Sequence, residues 1–295
     1  EGGRDYNTVD LSEHVLRTTV LPPFKACVDA GVMTFMSAFN DVLAVPASGN
    51  PYTLRIILKG EMNFEGFVVS DWTSVNELIQ HMVAADQKEA ARIGLTAGVD
   101  MDMHSGIYLD HFKTLVQEDP RLEALIDDAV VRILSVKYDL GLFEKPYTDL
   151  QQRQSLLLNP QTLDMTLKMA RESIVMLKND GRLPLSRSRK IALIGPFGND
   201  SQTPIGCWGS YGKPENTISV AQAFDAAGLD YHVVKGCDAI TLATDGFEAA
   251  LDVAKACDVI VFTAGENHLL SGENNNRAHL DLPGVQQQLF DALKT

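Results

Sequence analysis

Cysteine is scarce and scattered in this chain. Its four copies, Cys27, Cys207, Cys237 and Cys257, form none of the close pairs a zinc site uses and lack the density of a disulfide scaffold. Cys27 and Cys257 sit in apolar helical patterns that predict core positions. Basic residues are also in deficit, 25 Lys and Arg against 39 Asp and Glu, for a net charge of −14. A nucleic-acid partner needs a basic face for phosphate, so that class is excluded, and an anionic membrane surface is disfavoured for the same reason. No apolar run reaches the roughly 20 residues that span a bilayer. The opening Glu1-Gly2-Gly3 has no initiator Met, which gives the expectation that the sequence is an internal piece of something longer.

What the chain does have is length and apolar content. Its 295 residues are 45% hydrophobic, with a mean hydropathy of −0.04, enough for two domains with real cores. Short apolar runs at Val32–Ala38, Phe67–Val69 and Val99–Met103 read as strands. Helical stretches lie between them, at 52–59, 75–82, 88–97 and, interrupted near Pro120, 111–138. That alternation predicts a parallel sheet wrapped by helices. Asp10 and Glu13 have capping-box spacing ahead of a first helix that Pro22-Pro23 should break. The segment 144–160 reads as a linker. The α/β alternation then resumes: helix 161–178, strand Ile191–Ile194, helix 220–227, strand Tyr231–Val234, helix 247–256, strand Val259–Thr263 and helix 285–293. The expected organisation is therefore 1–143, a linker over 144–160, and 161–295.

Two polar segments follow strands. Phe67-Val68-Val69 runs into Ser70-Asp71-Trp72, a carboxylate and an indole where an α/β protein opens its site. Asp is equally often a helix cap, and on this stretch alone both readings stand. Val259–Thr263 runs into a long loop carrying Glu266, Glu273 and Arg277, and open α/β sheets bind ligands at that end of a strand. An ordinary solvated loop is the simpler reading. Paired, Asp71 and Glu273 would suit glycoside hydrolysis, which uses one ionised and one protonated carboxyl group. Gly195-Pro196-Phe197-Gly198 is no phosphate loop, because Pro196 removes a needed N–H.

A resemblance adds to this. Val32 to Asn40, Val45 to Pro51, Gly66 to Trp72, Ala97 to Met101, Ala170 to Asn179, Ile191 to Pro196, and the series Gly265-Glu266, Ser271-Gly272-Glu273, Arg277 and Leu282-Pro283 together resemble glycoside hydrolase family 3, most of all its bacterial β-glucosidases. The likeness covers essentially the whole chain in order. It implies the C-terminal part of a (β/α)8 barrel, strands six to eight, followed by most of an α/β sandwich domain. It also implies a retaining exo-β-glycosidase, with a β-glucosidase first and a β-xylosidase or α-arabinofuranosidase as the runner-up. A non-catalytic carbohydrate-binding module is the reading from another class.

By that likeness Asp71 is the nucleophile and Glu273 the acid/base, with Glu266 as its rival. Trp72, Met36 and Phe39 line the substrate pocket, and Trp208 and Tyr211 extend it. No metal or organic cofactor is implied. The implied partner is an oligosaccharide or β-glucoside, a homodimer is allowed, and the implied location is periplasmic or secreted. Three departures stand out. Phe39 replaces a frequent Tyr, Leu43-Ala44 replaces a common Asn-Gly turn, and the family's first five barrel strands have no counterpart. Without the glycone pocket those strands build, the chain alone is expected to be weakly active or inactive.

Overall fold

The computed structural model describes residues 8–273 and 275–294. The chain divides into two units, one running to Asp164 and the other from Met165.

In the first unit, Ser12 caps the opening helical turn, α1 (Glu13–Val15), by accepting a hydrogen bond from the Val15 amide, the job expected of Asp10. Pro22-Pro23 does not break the helix but opens α2 (Leu21–Asp29), where a first-turn amide would have no partner in any case. Leu21 and Val28 turn toward the core. Cys27, one position from Val28, is exposed, which corrects its expected core placement. Cys257, by contrast, packs against the core of the second unit.

Strands β1 (Thr34–Ser37) and β4 (Phe67–Ser70) pair in parallel, with Thr34 opposite Phe67 and Ser37 opposite Ser70. Gly66 lets β4 begin against its neighbour, since a Cβ there would sit 2.1 Å from the Met33 carbonyl oxygen. The expected third strand at Val99–Met103 is reduced to one bridge, Val69 with Met101. Beyond it the chain turns away, because Asp102 accepts from the Ser105 hydroxyl and the Gly106 amide. Residues 75–82 form only a short 3-10 turn, Asn76–Leu78. The chain then winds around buried Leu78, whose carbonyl accepts from both Val83 and Ala84.

Helices α3 (Gln87–Ala97), α4 (Ile107–Glu118) and α5 (Glu123–Asp139), with a wide-turned helix at Tyr52–Glu61, surround the strands. Asp86 caps α3 through the Glu89 amide, and Gly98 closes it in the left-handed region at φ 114°. Their inward faces supply Leu54, Ile57, Leu95 and Ile107 to a core that includes Val68 and Val99.

Between β1 and β4, Asp41–Val42 (β2) and Val45–Pro46 (β3) form a tight hairpin. Its two turn residues, Leu43 and Ala44, have φ of 56° and 62°, the primed turn that normally selects Asn-Gly. An L side chain at such φ costs roughly 1–2 kcal/mol. Leu43 is partly compensated by packing on the core, whereas Ala44 contributes little. Ala44→Gly is therefore expected to raise stability by about 0.5–1 kcal/mol, read as a higher urea midpoint at unchanged slope.

Within the segment read as linker, Leu150–Leu156 forms a helix, α6, and α7 spans Pro160–Ser173. The helix expected to reach Lys178 thus stops five residues early. Its continuation would begin with β-branched Ile174-Val175, poor helix formers, and both are exposed.

The second unit is a three-stranded parallel sheet in the order β6–β5–β7, with β5 at Ile191–Ile194, β6 at Tyr231–Val234 and β7 at Val259–Phe262. Every residue of the central strand is fully buried, as an all-apolar four-residue run in a covered parallel sheet should be. Helices α8 (Val220–Ala227), α9 (Phe247–Lys255) and α10 (Gln286–Leu293) complete the unit. Ser219 and Gln222 form a full capping box on α8. Among the described residues, no helix is long and apolar enough to cross a membrane.

Candidate active site

Asp71 is the first residue beyond β4, so the strand itself carries it to the end of the sheet. Its backbone is held from both sides: its amide donates to the Ser37 carbonyl at 3.2 Å and its carbonyl accepts from the Ser74 amide at 3.1 Å. Its side-chain Oδ1 accepts from the Trp72 amide at 2.7 Å, one residue on, and not from the first turn of a helix. The half-buried carboxylate thus keeps acceptor capacity for a ligand.

Trp72 is 55% exposed and stacks on His104, with ring centroids 3.9 Å apart and planes 21° from parallel. Thr73, the next residue, has φ of 58° and donates its amide to Met103, which ties the two loops carrying these rings together. One indole face is therefore covered by imidazole, leaving a flat apolar surface of the kind that receives a sugar ring.

Glu77 lies one turn further on. Burial raises its pKa and the Asp71 charge raises it further, while a Thr73 hydrogen bond and His81 oppose the rise. His81 Nδ1 stands 3.0 Å from Asp41 Oδ1, but off the line a hydrogen bond needs, so that buried oxygen has no hydrogen-bond donor.

On its other edge β4 is anchored by a buried ion pair. Asp100 accepts from Lys59 Nζ at 2.6 and 2.7 Å and from the Val68 amide at 2.8 Å. Ser70 Oγ accepts from the Met103 amide at 2.7 Å. Met36 is 53% exposed, on the wall of an apolar depression of about 160 Å³ shared with Phe24, Phe35, Leu54 and Ile57. Phe39 is buried, with 7% of its surface accessible.

In the second unit, Glu266 and Glu273 lie on the loop after β7, as the sequence places them. The loop is pinned at its start by fully buried Gln286, which accepts from the Gly265 amide and donates to the carbonyls of Gly265 and Ala239. Glu266 is bound to Arg277 at 2.6 Å, and Arg277 also holds Asp281 at 2.7 Å. Arg277 thus engages Glu266, the rival acid. Glu273 is half-buried.

Trp208 and Tyr211 are 73% and 96% exposed. A polar depression of about 340 Å³ opens at the carboxyl ends of all three strands, lined by Phe197, Asp200, Lys235, Asp238, Asn267 and His268, among others. Among the described residues, no group of three His, Cys, Asp or Glu side chains is arranged to hold a metal ion.

Residues 1–136 match the Glycosyl hydrolase family 3 N terminal domain, and residues 174–295 match the Glycosyl hydrolase family 3 C-terminal domain. The chain belongs to glycosyl hydrolase family 3. A periplasmic beta-glucosidase of Salmonella typhimurium is 33% identical over 326 residues, covering all of this chain and 42% of that protein. A beta-xylosidase of Formosa agariphila is 36% identical over 303 residues, covering 96% of this chain and 42% of that one. Among solved structures, beta-glucosidase from Listeria innocua in complex with glucose superposes with a TM-score of 0.93 at 35% identity, over 99% of this chain and 41% of its own. The family 3 chain thus spans 42% of the length of these curated relatives.

His104, Gln286, the Lys59–Asp100 pair and the serines around Asp71 were not read as site residues in the sequence. Gln286 left a signal as the first of three glutamines at the head of an otherwise amphipathic helix, and Ser37, Ser48 and Asp100 lie within the segments that carry the resemblance.

Proposed function

We propose that the protein carrying this chain is a retaining exo-acting β-glycosidase that removes terminal glucose, with Asp71 as nucleophile and Glu273 as acid/base. The observation that carries this reading is the setting of Asp71. A carboxylate follows a parallel strand in which Val68 and Ser70 are fully buried, its backbone is fixed on both sides, and it stands beside an indole with one face covered.

In this mechanism Asp71 attacks the anomeric carbon, forming a glycosyl ester as the bond to the leaving oxygen breaks. Glu273 gives that oxygen its proton. It then takes one from water, which attacks the anomeric carbon from the face opposite the ester, breaking its bond to the Asp71 oxygen and freeing the carboxylate, so the anomeric configuration is retained. Glu266 is set apart from this role by its ion pair with Arg277. Glucose is preferred over xylose because the Salmonella and Listeria relatives are named beta-glucosidases. The Formosa protein, a beta-xylosidase, supports the second reading. A periplasmic or secreted location follows from the Salmonella relative's name.

Incubation of the intact protein with 2,4-dinitrophenyl 2-deoxy-2-fluoro-β-D-glucoside is expected to add one fluoroglucosyl group. Peptide mass spectrometry should place it on Asp71. Label on another carboxylate would move the nucleophile, and stoichiometric label from the fluoroxyloside alone would give the site to xylose.

A further inference from the structure

Beneath Asp71 lies a chain of three hydroxyls. Ser37 closes β1, Ser48 sits on the short turn Ala47–Gly49 after the hairpin, and Ser74 follows the site loop; all three are buried. Ser37 Oγ is 2.8 Å from Ser48 Oγ, and Ser48 Oγ is 2.7 Å from Ser74 Oγ. The two outer serines are also the residues whose backbones grip Asp71, Ser37 through its carbonyl and Ser74 through its amide.

Ser48 therefore joins the two jaws of a clamp. With one hydrogen and two hydroxyl neighbours, it donates to at most one of them and accepts from at least one. Apolar packing alone would not specify this register, because buried hydroxyls carry a cost unless each finds its partner.

We infer that Ser48 is a positioning residue for Asp71: through Ser37 and Ser74 it fixes the backbone from which the carboxylate attacks. This inference rests on the nucleophile role proposed above. Ser48 is buried and its hydroxyl meets the two outer serines, so its loss should slow attack without weakening binding, since small misplacements of a reacting group cost rate.

The test uses the intact protein and the same fluoroglucoside. Ser48→Ala is expected to label Asp71 to the same final stoichiometry as wild type, with an unchanged half-saturating reagent concentration. The labelling rate constant should be about 10–100-fold lower. A merely structural role would lower the stoichiometry, because misfolded molecules take up no label. In parallel, hydrogen–deuterium exchange of a peptide covering 68–76 should speed about tenfold, as expected for the loss of one or two buried hydrogen bonds, while the β5 peptide is unchanged.

Ser74→Ala removes one of the two hydroxyl contacts. It should show a smaller slowing, and it carries the test should Ser48→Ala fail to fold. Labelling as fast as wild type in a folded variant would overturn the inference. Wild-type protein that takes up no label would overturn the hydrolase reading instead. Exchange would then decide the clamp, and unchanged protection of 68–76 would overturn that too.

Discussion

Asp71→Ala is expected to lower turnover of 4-nitrophenyl β-D-glucoside by the intact protein at least about 10⁴-fold, the scale seen when a nucleophile is removed from a preorganised site. Without the carboxylate no glycosyl ester forms, and no negative charge faces the oxocarbenium-like transition state. Since the indole platform and the backbone clamp are untouched, KM should move far less than kcat.

Glu273→Ala should behave differently. With a 2,4-dinitrophenyl leaving group, which departs without a proton, its first step survives and the ester accumulates. Azide then attacks from the water's side, restoring turnover and yielding the β-glucosyl azide. Steady-state assays with and without azide, with the product identified by NMR, check both variants. Azide rescue of Glu266→Ala in place of Glu273→Ala would transfer the acid role to Glu266.

Asp100→Asn is expected to cost about 3–5 kcal/mol of unfolding free energy, because it strands the Lys59 ammonium where almost no water reaches. Asparagine keeps an oxygen for the Val68 amide, so the loss reports chiefly on the ion pair.

The effect carries a pH signature. Burial already pulls the Lys59 pKa below its ordinary 10.5, and Asp100 is the main influence holding it up. Removing that charge lowers the folded pKa further. Between this lowered value and 10.5 the unfolded chain binds more protons than the folded one, so the variant gains stability as pH rises. The gap to wild type should be widest near neutrality and narrow toward pH 10, measured by urea unfolding. A gap that stays constant would show that Lys59 finds another partner.

Local pattern was enough to determine the alternation of strands and helices. It placed β5 and β7, because four-residue apolar runs between turn residues have few other uses, and it placed β6 and α8 as well. It also determined that Asp71 ends a strand and that Glu266 and Glu273 share one loop, since those are facts of chain order. Local pattern misjudged the segments whose conformation depends on distant atoms. The strand expected at Val99–Met103 shrank to a bridge because Asp102 found closer partners, and the turns after Thr73 wind around Leu78 without lengthening into a helix.

Tertiary structure alone decided the surroundings of the site. Trp72 stacks on His104 from 32 residues away, Lys59 meets Asp100 across 41, and Ser48 joins Ser37 to Ser74. It also gave Arg277 to Glu266 and left Glu273 to other contacts. A sequence shows which groups a chain possesses, but their hydrogen bonds are chosen by whichever donor and acceptor burial leaves within about 3 Å of each other. That choice exists only once the chain has folded.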